Sequence, residues 1–460
     1  MTHLDADVAI VGAGVAGLAA ARTLHEARVN VVVLEARERL GGRIFTRRDP
    51  DLSLPIELGA EFIHGEAPEL ESLAEEARLT ACDASGSRWR ADRSRRSRRP
   101  ALRPLENFWE QLDAVMSRLN AGRARDRSFQ EFLDTRPGGR RLAGQRELAL
   151  QWVEGFHAAD PRRASARALA DGGSPGDDHR ERRLARFVDG YDAVPRFLGS
   201  GLEDRVRFGA VVSAVRWRSG GIEIIAGTSE REASQTITAR AAIISVPLGV
   251  LQARPGDPGA IAFEPRLESD ARKREALSQM EMGSVVRVTL RLRERFWTAE
   301  RFVRRTGSQD LDRLAFLHTG DPHFPVLWTV YPLHAPVLVA WSGGPRARSL
   351  AAAGRPVTDV AIESMAAQFG LSEREAKRMV EAAWTHDWEH DPFSRGAYSY
   401  MTVGATDAPG KLARSLDGTL FFAGEASDAE GRTGTVHGAI ASGRRAAKQA
   451  LRALRALGAS

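Results

Sequence analysis

The feature that most constrains the fold lies near the start of the chain, where Gly12, Gly14 and Gly17 separate a short β-branched stretch from a helical pattern. A second strand pattern at residues 30–34 follows and leads into Glu35. Strand, glycine turn, helix and strand in this order predict a βαβ unit. In such a unit the first glycine permits the tight turn, the second lets backbone approach a pyrophosphate, and the third allows close helix-to-strand packing. The sequence therefore predicts a dinucleotide-binding α/β domain.

Glu35 stands near the distance from the glycines, about 20 residues, at which an acid binds ribose hydroxyls in such units. Plainer interpretations exist, because glycine turns also occur for packing alone and Glu35 also suits an exposed helix start. A nicotinamide dinucleotide and a flavin dinucleotide satisfy the pattern equally well. These residues alone leave the cofactor open.

The composition is that of a globular protein of two or three domains, with 460 residues, 43% hydrophobic and 27% charged. The single cysteine, Cys82, excludes an internal disulfide and a cysteine-rich metal site, so no metal is predicted and the cytoplasm is the expected compartment. The longest apolar stretches, residues 8–21 and 241–253, are shorter than the roughly 18 to 20 residues that span a bilayer. Neither a membrane contact nor a signal peptide is expected.

Most of the local basic excess lies in residues 88–103, within a net charge of +6. Such a segment suits nucleic acid or an anionic surface. Trp89 is its only aromatic residue, however, which favours a solvated loop or hairpin in an insertion, and no nucleic-acid partner is expected.

Later segments alternate between strand and helix patterns without an internal repeat. Strands are predicted at residues 206–217, 222–225, 241–246, 284–292, 326–341 and 419–423, and helices at 18–28, 358–369, 372–384 and 434–457. The return to a strand and a helix after residue 395 predicts two domains, each made of discontinuous pieces.

Five segments resemble, in the same order, those of the flavin-dependent monoamine and polyamine oxidases. They are residues 35–43 (EARERLGGR), 56–65 (IELGAEFIHG), 244–251 (ISVPLGVL), 421–427 (FFAGEAS) and 434–447 (GTVHGAIASGRRAA). The resemblance implies an α/β, Rossmann-type FAD-binding domain of the glutathione-reductase and amine-oxidase kind. It also implies a discontinuous α+β substrate domain with a mixed sheet and helices. The expected limits are residues 1–85, 200–283 and 395–460 for the FAD-binding domain, and residues 86–199 and 284–394 for the substrate domain.

The same resemblance implies FAD as the cofactor. The backbone of Val212 would contact adenine, Glu425 would bind the ribitol, and the helix that begins near Thr435 would face the pyrimidine edge of the flavin, where negative charge builds on reduction. Glu425 also suits a simple helix cap. The implied cofactor contacts are Gly12, Gly14, Gly17, Glu35, Ala36, Arg37, Gly42, Arg43, Gly59, Ala60, Glu61, Val212, Trp388, Gly424, Glu425, Thr435 and Val436.

Residues 384–400 resemble the flavin-contacting stretch of the polyamine oxidases. Ala397 stands where monoamine oxidases carry the cysteine that bonds to FAD, so the resemblance implies a non-covalent flavin. Tyr398 would form one wall of an aromatic cage, and Trp388 would pack near the flavin ring. The second cage tyrosine of monoamine oxidases is Thr435 here. Both aromatic residues also suit ordinary core packing.

The candidates for substrate contact are Glu61 and His64, from which a carboxylate would attract a cationic amine. A hydrogen-bonded buried acid and a core histidine are equally good interpretations. Glu154 and His157 are weaker channel candidates, for which a structural role is favoured.

Arg287 stands where many members of the family carry a lysine that holds a water against flavin N5. Arginine is not deprotonated at accessible pH, so it cannot act as a base, and a plain strand arginine paired with an acid is the alternative. The catalytic set implied by the resemblance is Arg287, Tyr398, Trp388, Glu61 and His64.

The implied activity is oxidation of a monoamine or polyamine to an imine, which water converts to an aldehyde, with hydride transfer to flavin N5 and reduction of O2 to hydrogen peroxide. The partners would be the amine and O2; the oligomeric state stays open, a homodimer being one option. Rival enzymes are an amino-acid oxidase, in which Arg287 would clamp the carboxylate, and a flavin desaturase. A different class is a flavin-bearing binding protein that uses residues 88–104 on nucleic acid or another partner.

Overall fold

A computed structural model describes residues 4–92, 100–119, 125–171, 183–227, 234–307 and 310–458. The strands in these ranges are β1 Ala6–Val11, β2 Val31–Leu34, β3 Thr46–Asp49, β4 Leu52–Glu57, β5 Ile63–His64, β6 Ala81–Asp83, β7 Ser87–Asp92, β8 Ala101–Pro104, β9 Leu184–Phe187, β10 Val206–Arg207, β11 Val211–Arg218, β12 Gly221–Gly227, β13 Gln235–Ile244, β14 Ala262–Glu264, β15 Met280–Gly283, β16 Val285–Leu292, β17 Leu314–Thr319, β18 Val326–Thr329, β19 Val337–Gly343, β20 Val380–Thr385, β21 Tyr398–Met401 and β22 Leu420–Phe422. The helices are α1 Val15–Glu26, α2 Pro68–Glu76, α3 Phe108–Met116, α4 Phe129–Asp134, α5 Ala143–Gly155, α6 Ala166–Asp171, α7 Ala193–Gly199, α8 Leu248–Leu251, α9 Ala271–Gln279, α10 Glu300–Thr306, α11 Gly344–Ala352, α12 Val357–Phe369, α13 Glu373–Met379, α14 Ala408–Ala413 and α15 Val436–Gly458.

The first large sheet has eight strands, in the order β10-β2-β1-β13-β12-β11-β14, with β22 also paired to β13. Strands β10, β2, β1, β13 and β22 run parallel, and Val11 pairs with both Leu34 and Ile244. Ile244 pairs in turn with Phe422. The carboxyl ends of these strands therefore meet at one edge, which is where open α/β sheets bind ligands.

Helices α1 and α15 pack together on one face of this sheet. Leu18 of α1 and Ile440 of α15 share a buried cluster with Ile10 and Val33 of the parallel strands. The predicted α/β fold is confirmed, and α1 begins immediately after the glycine turn, so the turn is held rigidly between a strand and a buried helix.

The second large sheet has seven strands, in the order β20-β16-β19-β18-β17-β7-β8. Its neighbours are antiparallel, except that β17 and β7 run parallel. Val288 and Leu290 of β16 point into a cluster that includes Val360 and Met365 of α12. Helices α3, α4 and α5 form a separate cluster beside this sheet.

Three predicted elements need correction. The strand expected over residues 206–217 is two strands, β10 and β11, which pair with different neighbours. The helix expected over residues 372–384 ends at Met379, and Val380–Thr385 is a strand that pairs with β16. The local sequence suits a helix, but pairing with the neighbouring strand satisfies the backbone and overrides the local preference. The strand expected over residues 326–341 is two strands, because residues 330–336 form a turn that contains Pro332 and Pro336.

The domain limits stay a prediction. Tyr191, Val194 and Leu198 pack in the cluster of the first sheet, although the predicted limit at residue 199 assigns them to the substrate domain. This packing favours a boundary before residue 185.

Candidate active site

The carboxyl edge of the first sheet and one face of the second sheet border a continuous cavity of about 760 Å³. A volume of this order is typical of cofactor and small-molecule sites. Of the cofactor and substrate candidates, Gly17 and Glu154 are absent from its lining. The lining includes Gly12, Gly14, Glu35, Ala36, Arg37, Gly42, Arg43, Gly59, Ala60, Glu61, His64, Val212, Arg287, Trp388, Tyr398, Gly424, Glu425, Thr435 and Val436. The fold thus brings together residues that are far apart in the chain.

The cavity begins at the glycine turn between β1 and α1. Gly12 has a φ of +103°, a backbone conformation that side-chain-bearing residues rarely adopt. A Cβ on Gly17 would lie 2.0 Å from the Gly12 carbonyl oxygen, so this glycine lets the helix approach the strand. Gly14, the N-cap of α1, has no side chain, and a Cβ there would meet nothing within 4 Å. The first amides of α1 are therefore accessible to an anion in the cavity, as pyrophosphate binding requires.

Glu35 is buried at the end of β2, with 3% of its surface exposed. Its Oε2 accepts a hydrogen bond from the Ala13 amide at 2.7 Å and its Oε1 accepts one from the Arg37 amide at 2.9 Å. Burial raises the pKa of Glu35 above its ordinary value, against the lowering effect of these amides. An ionised carboxylate has about four lone-pair sites. Two of these sites are not used by the amides, and Glu35 lines the cavity.

Glu425 connects four segments of the chain. Its Oε1 accepts a hydrogen bond from Arg43 Nη1 at 2.8 Å, and Arg43 also donates to the Ala397 carbonyl at 2.9 Å. Its Oε2 accepts hydrogen bonds from Ser399 Oγ at 2.6 Å and the Gly434 amide at 3.0 Å. Glu425 therefore fixes the backbone around the cavity, and its direct contact with ribitol stays a prediction.

Helix α15 starts at the cavity wall. Thr435 Oγ accepts a hydrogen bond from the Gly438 amide at 3.0 Å and donates one to the Arg432 carbonyl at 2.6 Å. The threonine that replaces the second cage tyrosine thus stabilises the first turn of the helix. The positive end of the helix dipole faces the cavity at Val436.

Trp388 and Tyr398 line the middle of the cavity, and hydrogen bonds hold both rings. Trp388 Nε1 donates to the Leu58 carbonyl at 2.9 Å. Tyr398 Oη donates to the Phe156 carbonyl at 2.7 Å. Because their polar atoms bond to protein backbone, the surfaces that these rings offer the cavity are mainly apolar.

Arg287 and Glu61 form a buried ion pair in the cavity wall. Arg287 Nη2 lies 2.6 Å from Glu61 Oε2, and Arg186 Nη1 lies 2.6 Å from Glu61 Oε1. Trp328 Nε1 also donates to Oε2, at 3.1 Å. Burial by itself raises the pKa of Glu61, but the charges of Arg287 and Arg186 outweigh it and hold that pKa below its ordinary value. Glu61 is therefore ionised, with two cations against one anion.

Of the two interpretations of Glu61, this pairing favours the hydrogen-bonded buried acid over recruitment of a cationic amine. An acid that recruits a cationic amine needs a free oxygen, whereas both oxygens of Glu61 accept hydrogen bonds from protein groups. Arg287 also donates to the Gly59 carbonyl at 3.3 Å. Its Nη1 and Nη2 donate to these protein acceptors, whereas its Nε has no hydrogen-bond partner in the described residues. Two of its three nitrogens are thus engaged by the protein, which does not favour the carboxylate clamp of the amino-acid oxidase alternative.

The histidine candidates lie in the cavity wall, and Glu154 does not. Burial lowers the pKa of His64 to about 4, with His437 adding to the effect, and burial lowers the pKa of His157 to about 4. Both rings are therefore neutral at neutral pH. Glu154 instead pairs with Arg346, at 2.7 Å. The structural role favoured for Glu154 agrees with this contact.

Residues 15–451 match the family described as flavin containing amine oxidoreductase. The chain belongs to this family. Polyamine oxidase 2 of Arabidopsis thaliana is 29% identical to this oxidoreductase, over 96% of this chain and 87% of that protein. Polyamine oxidase 3 of Oryza sativa subsp. japonica is also 29% identical, over 96% of this chain and 88% of that protein.

Solved structures share the fold of this amine oxidoreductase. Putrescine oxidase bound to putrescine matches with a TM-score of 0.77 at 20% identity, over 97% of this chain and 99% of that chain. Cyclohexylamine oxidase from Brevibacterium oxydans IH-35A matches with a TM-score of 0.75 at 19% identity, over 98% and 100% of the two chains. The family match and the common fold confirm the predicted family and an enzyme that uses a flavin.

Sequence reasoning missed a group of aromatic side chains in the cavity of this oxidoreductase, which we call the aromatic wall. Its members are Phe62, Phe108, Trp109, Trp152, Phe156, Phe316, His318, Trp328 and Trp341. Trp152 stacks on Phe156 with ring centroids 4.1 Å apart, and Phe108 stacks on His318 at 5.0 Å. The one local signal was the spacing of Trp152 and Phe156, which places them on the same side of a helix. The other members meet only through strand pairing and helix packing.

The arginine-rich segment is partly a hairpin, as predicted, since β7 and β8 pair antiparallel. Residues 93–99, part of the segment 88–104 that the binding-protein alternative would use, lie outside the described residues. The expectation of a solvated segment is wrong for Arg88, whose guanidinium lies 4.4 Å from the ring centroid of Phe108 and 4.4 Å from that of Phe316.

In the described ranges, no three or more His, Cys, Asp or Glu side chains are grouped so that they could hold a metal ion. Likewise, no helix of the described residues has the length and apolar character needed to cross a membrane.

Proposed function

We propose that this chain oxidises an amine to an imine in an FAD-dependent reaction, with O2 as the electron acceptor. One observation carries the proposal. A single cavity joins the amides of α1 and the Glu35 carboxylate, which suit a dinucleotide, to the apolar rings of Trp388 and Tyr398 and the aromatic wall, which suit an organic substrate. Membership of the flavin containing amine oxidoreductases supports the reaction class.

The residues present fit FAD. The first amides of α1, with Gly42 and Arg43, would hold the pyrophosphate, and Glu35 would hold the adenosine ribose. Val212 lines the cavity on β11, next to a shift in the strand register, where its backbone suits adenine. Most of the other implied contacts line the same cavity: Ala36, Arg37, Gly59, Ala60, Glu61, Trp388, Gly424, Glu425, Thr435 and Val436. Ala397 has no nucleophile, so the flavin would be non-covalent.

When bound, FAD supplies the hydride acceptor N5 and passes two electrons to O2, which gives hydrogen peroxide. The residues of the chain would position the substrate, exclude water and set the charge around the substrate nitrogen. Trp388 and Tyr398 offer apolar surfaces that position the C–H bond and exclude water. His64 and His157 are neutral there and leave the substrate nitrogen without cationic repulsion. Because Arg287 cannot accept a proton, the amine would enter as the free base.

The relatives support an amine panel that starts with putrescine and other polyamines and includes neutral-tail monoamines. Purified enzyme would be mixed with each amine without oxygen, and loss of the oxidised flavin absorbance would be followed. Admission of O2 should restore the absorbance and release peroxide in equal amount. Acid precipitation should leave a colourless pellet and a yellow supernatant. A flavoprotein that no amine reduces would contradict the proposed function.

The single cysteine supports a reducing, cytoplasmic location for this enzyme.

A further inference from the structure

Arg88 differs from the other arginines of the cavity. Six arginines of the described residues line it, and five of them have a carboxylate within ion-pair distance. The five pairs are Arg37–Asp391, Arg43–Glu425, Arg183–Glu71, Arg287–Glu61 and Arg432–Glu69. Within the described parts of the chain, Arg88 has none: it contacts rings and a histidine instead.

The surroundings of Arg88 are apolar. Its guanidinium lies between the rings of Phe108 and Phe316 and 5.3 Å from the ring centroid of Trp109. Its Nη1 is 3.5 Å from His318 Nε2. Burial lowers the pKa of Arg88 to about 10, so it remains a cation at neutral pH.

His318 does not balance this charge. Burial, together with the charges of Arg88 and Arg90, lowers the pKa of His318 to about 3, so the ring is neutral at neutral pH. Arg88 is half-buried, and a cation withdrawn from water without a counter-ion is costly. Because Arg88 lines the cavity, an anionic group of a ligand is the partner that its position suits.

The acids that line the cavity in the described residues already have partners, so they are not placed to bind a second ammonium group of a substrate. Glu35 and Glu425 accept hydrogen bonds from protein groups at the cofactor end, Glu61 is held by two arginines, and Glu66 also has an interaction partner. A second ammonium group on a substrate would meet Arg88 and its like charge. The cavity therefore suits an amine with an anionic tail better than a polycation.

Arg88 is also far from Arg287. Their strands, β7 and β16, are separated by four strand spacings in the second sheet, and four spacings of about 4.8 Å amount to about 19 Å. Members of the aromatic wall, Phe316 and Trp328, occupy the strands between them. An anion bound by Arg88 would be separated from the reacting amine by an apolar spacer. A carboxylate on the reacting carbon itself would not span this distance.

We infer that the substrate is an amine that carries a carboxylate or similar anion at the far end of an apolar spacer, and that Arg88 binds this anion. The inference rests on the proposed amine oxidation and specifies its substrate class. It makes Arg88 a specificity-determining residue, with the aromatic wall as the binding surface for the spacer.

The test compares three series of matched chain length, from butyl to dodecyl: ω-amino carboxylates, alkylamines and diamines. At the best length, kcat/KM for the amino carboxylate should exceed that for the alkylamine by about tenfold or more, as a charge-assisted hydrogen bond provides. The diamine should be the poorest of the three. If the diamine is the best, the inference is overturned.

Arg88→Gln should reduce the preference for the amino carboxylate over the alkylamine by about tenfold or more. Arg88→Lys, which keeps the charge, should retain part of the preference and shows that a loss in Arg88→Gln is not a failure to fold. Arg183→Gln is the matched control, because Arg183 also lines the cavity but has a carboxylate partner. An unchanged preference in Arg88→Gln would overturn the inference and leave the proposed function intact.

A binding measurement on the flavin-loaded enzyme separates this inference from the proposed function. Octanoate, which cannot be oxidised as an amine, should raise the melting temperature of the wild type and compete with the substrate, whereas octanol should not. Arg88→Gln should lose the response to octanoate. If octanoate stabilises the wild type through Arg88 but no amine reduces the flavin, the anion site stands and the amine oxidation fails. If octanoate stabilises the wild type and Arg88→Gln equally, or neither of them, the anion site fails.

Discussion

The two ends of the cavity are lined by different parts of the chain. At the end where we propose that FAD binds, the donors would be mainly backbone amides, from α1 and from the segments around Glu35 and Glu425. The arginines Arg37 and Arg43 that line this end are paired with acids. At the proposed substrate end the surface consists of side chains, and its charges do not balance. Glu61 forms ion pairs with two arginines, whereas Arg88 has no acid partner in the described chain. A site made of backbone tolerates many side-chain changes. A site made of side chains can change its specificity without a change of fold.

Three buried glutamates allow a comparison of carboxylates held by side-chain cations with carboxylates held by amides and a hydroxyl. Glu61 has two guanidinium partners, and Glu35 is held by two amides. Glu57 accepts hydrogen bonds from Thr46 Oγ at 2.6 Å and the Tyr191 amide at 2.8 Å. Each should respond differently to loss of its carboxylate.

The largest effect is expected for Glu61→Gln. Removal of the carboxylate leaves two buried guanidinium groups without a counter-ion, which should lower the free energy of unfolding by about 3–5 kcal/mol. Urea denaturation of the flavin-loaded enzyme would measure it. The control is Glu71→Gln, at an exposed pair with Arg183, which should cost less than about 1 kcal/mol. Equal losses in the two variants would show that Glu61 is not the centre of a buried ion cluster.

Glu57→Gln should change the pH dependence of stability. Burial raises the pKa of Glu57 from 4.5 to about 7, so protonation favours the folded chain. Its contribution is complete below pH 4.5 and is lost as the pH rises through 7. By pH 8 the wild type should have lost on the order of 3 kcal/mol relative to Glu57→Gln. Denaturation curves at pH 5 and pH 8 would test this, and parallel changes in wild type and variant would refute it.

Glu35→Ala should weaken FAD binding by about 1.5–3 kcal/mol, because one charge-assisted contact with the ribose is lost. Titration of the apoprotein with FAD would measure the affinity. Glu38→Ala is the control, because Glu38 is exposed and lies three residues further along the chain. This variant should bind FAD with the affinity of the wild type. Unchanged affinity in Glu35→Ala would remove Glu35 from the cofactor site.

The smallest effect, on the order of several-fold, is expected for reaction with oxygen in variants of Arg287. The guanidinium is held by Glu61, so a lysine should leave a more compact charge to stabilise superoxide. Arg287→Lys should speed reoxidation of the flavin and Arg287→Met should slow it, with smaller changes in anaerobic reduction. Stopped-flow measurement of the two half-reactions would decide. If the flavin of Arg287→Met is reoxidised as fast as that of the wild type, Arg287 does not lie at the flavin.

The glycine turn between β1 and α1 could be predicted because its determinants are local. A tight turn needs glycine at Gly12, and close packing needs glycine at Gly17, wherever such a unit occurs. The carboxyl ends of parallel strands meet at one edge, so Glu35 could be placed beside the turn. The substrate end was predicted less well. Glu61 and Arg287 were identified one by one, but Arg186 was not, because its contact with Glu61 joins residues 125 positions apart.

The sequence by itself determined the βαβ unit, the family and the order of the segments that line the cavity. Each depends on short stretches whose spacing and chemistry are visible in the chain. Only the tertiary structure decided which charges are neutralised. It placed two arginines beside Glu61 and paired residues 380–385 with β16 as a strand where the sequence predicts a helix. It also placed Arg88 among aromatic rings, with no acid partner in the described residues. The physical reason is that strand pairing and burial bring together residues that are hundreds of positions apart. The free-energy cost of a buried charge depends on those contacts and not on its neighbours in sequence.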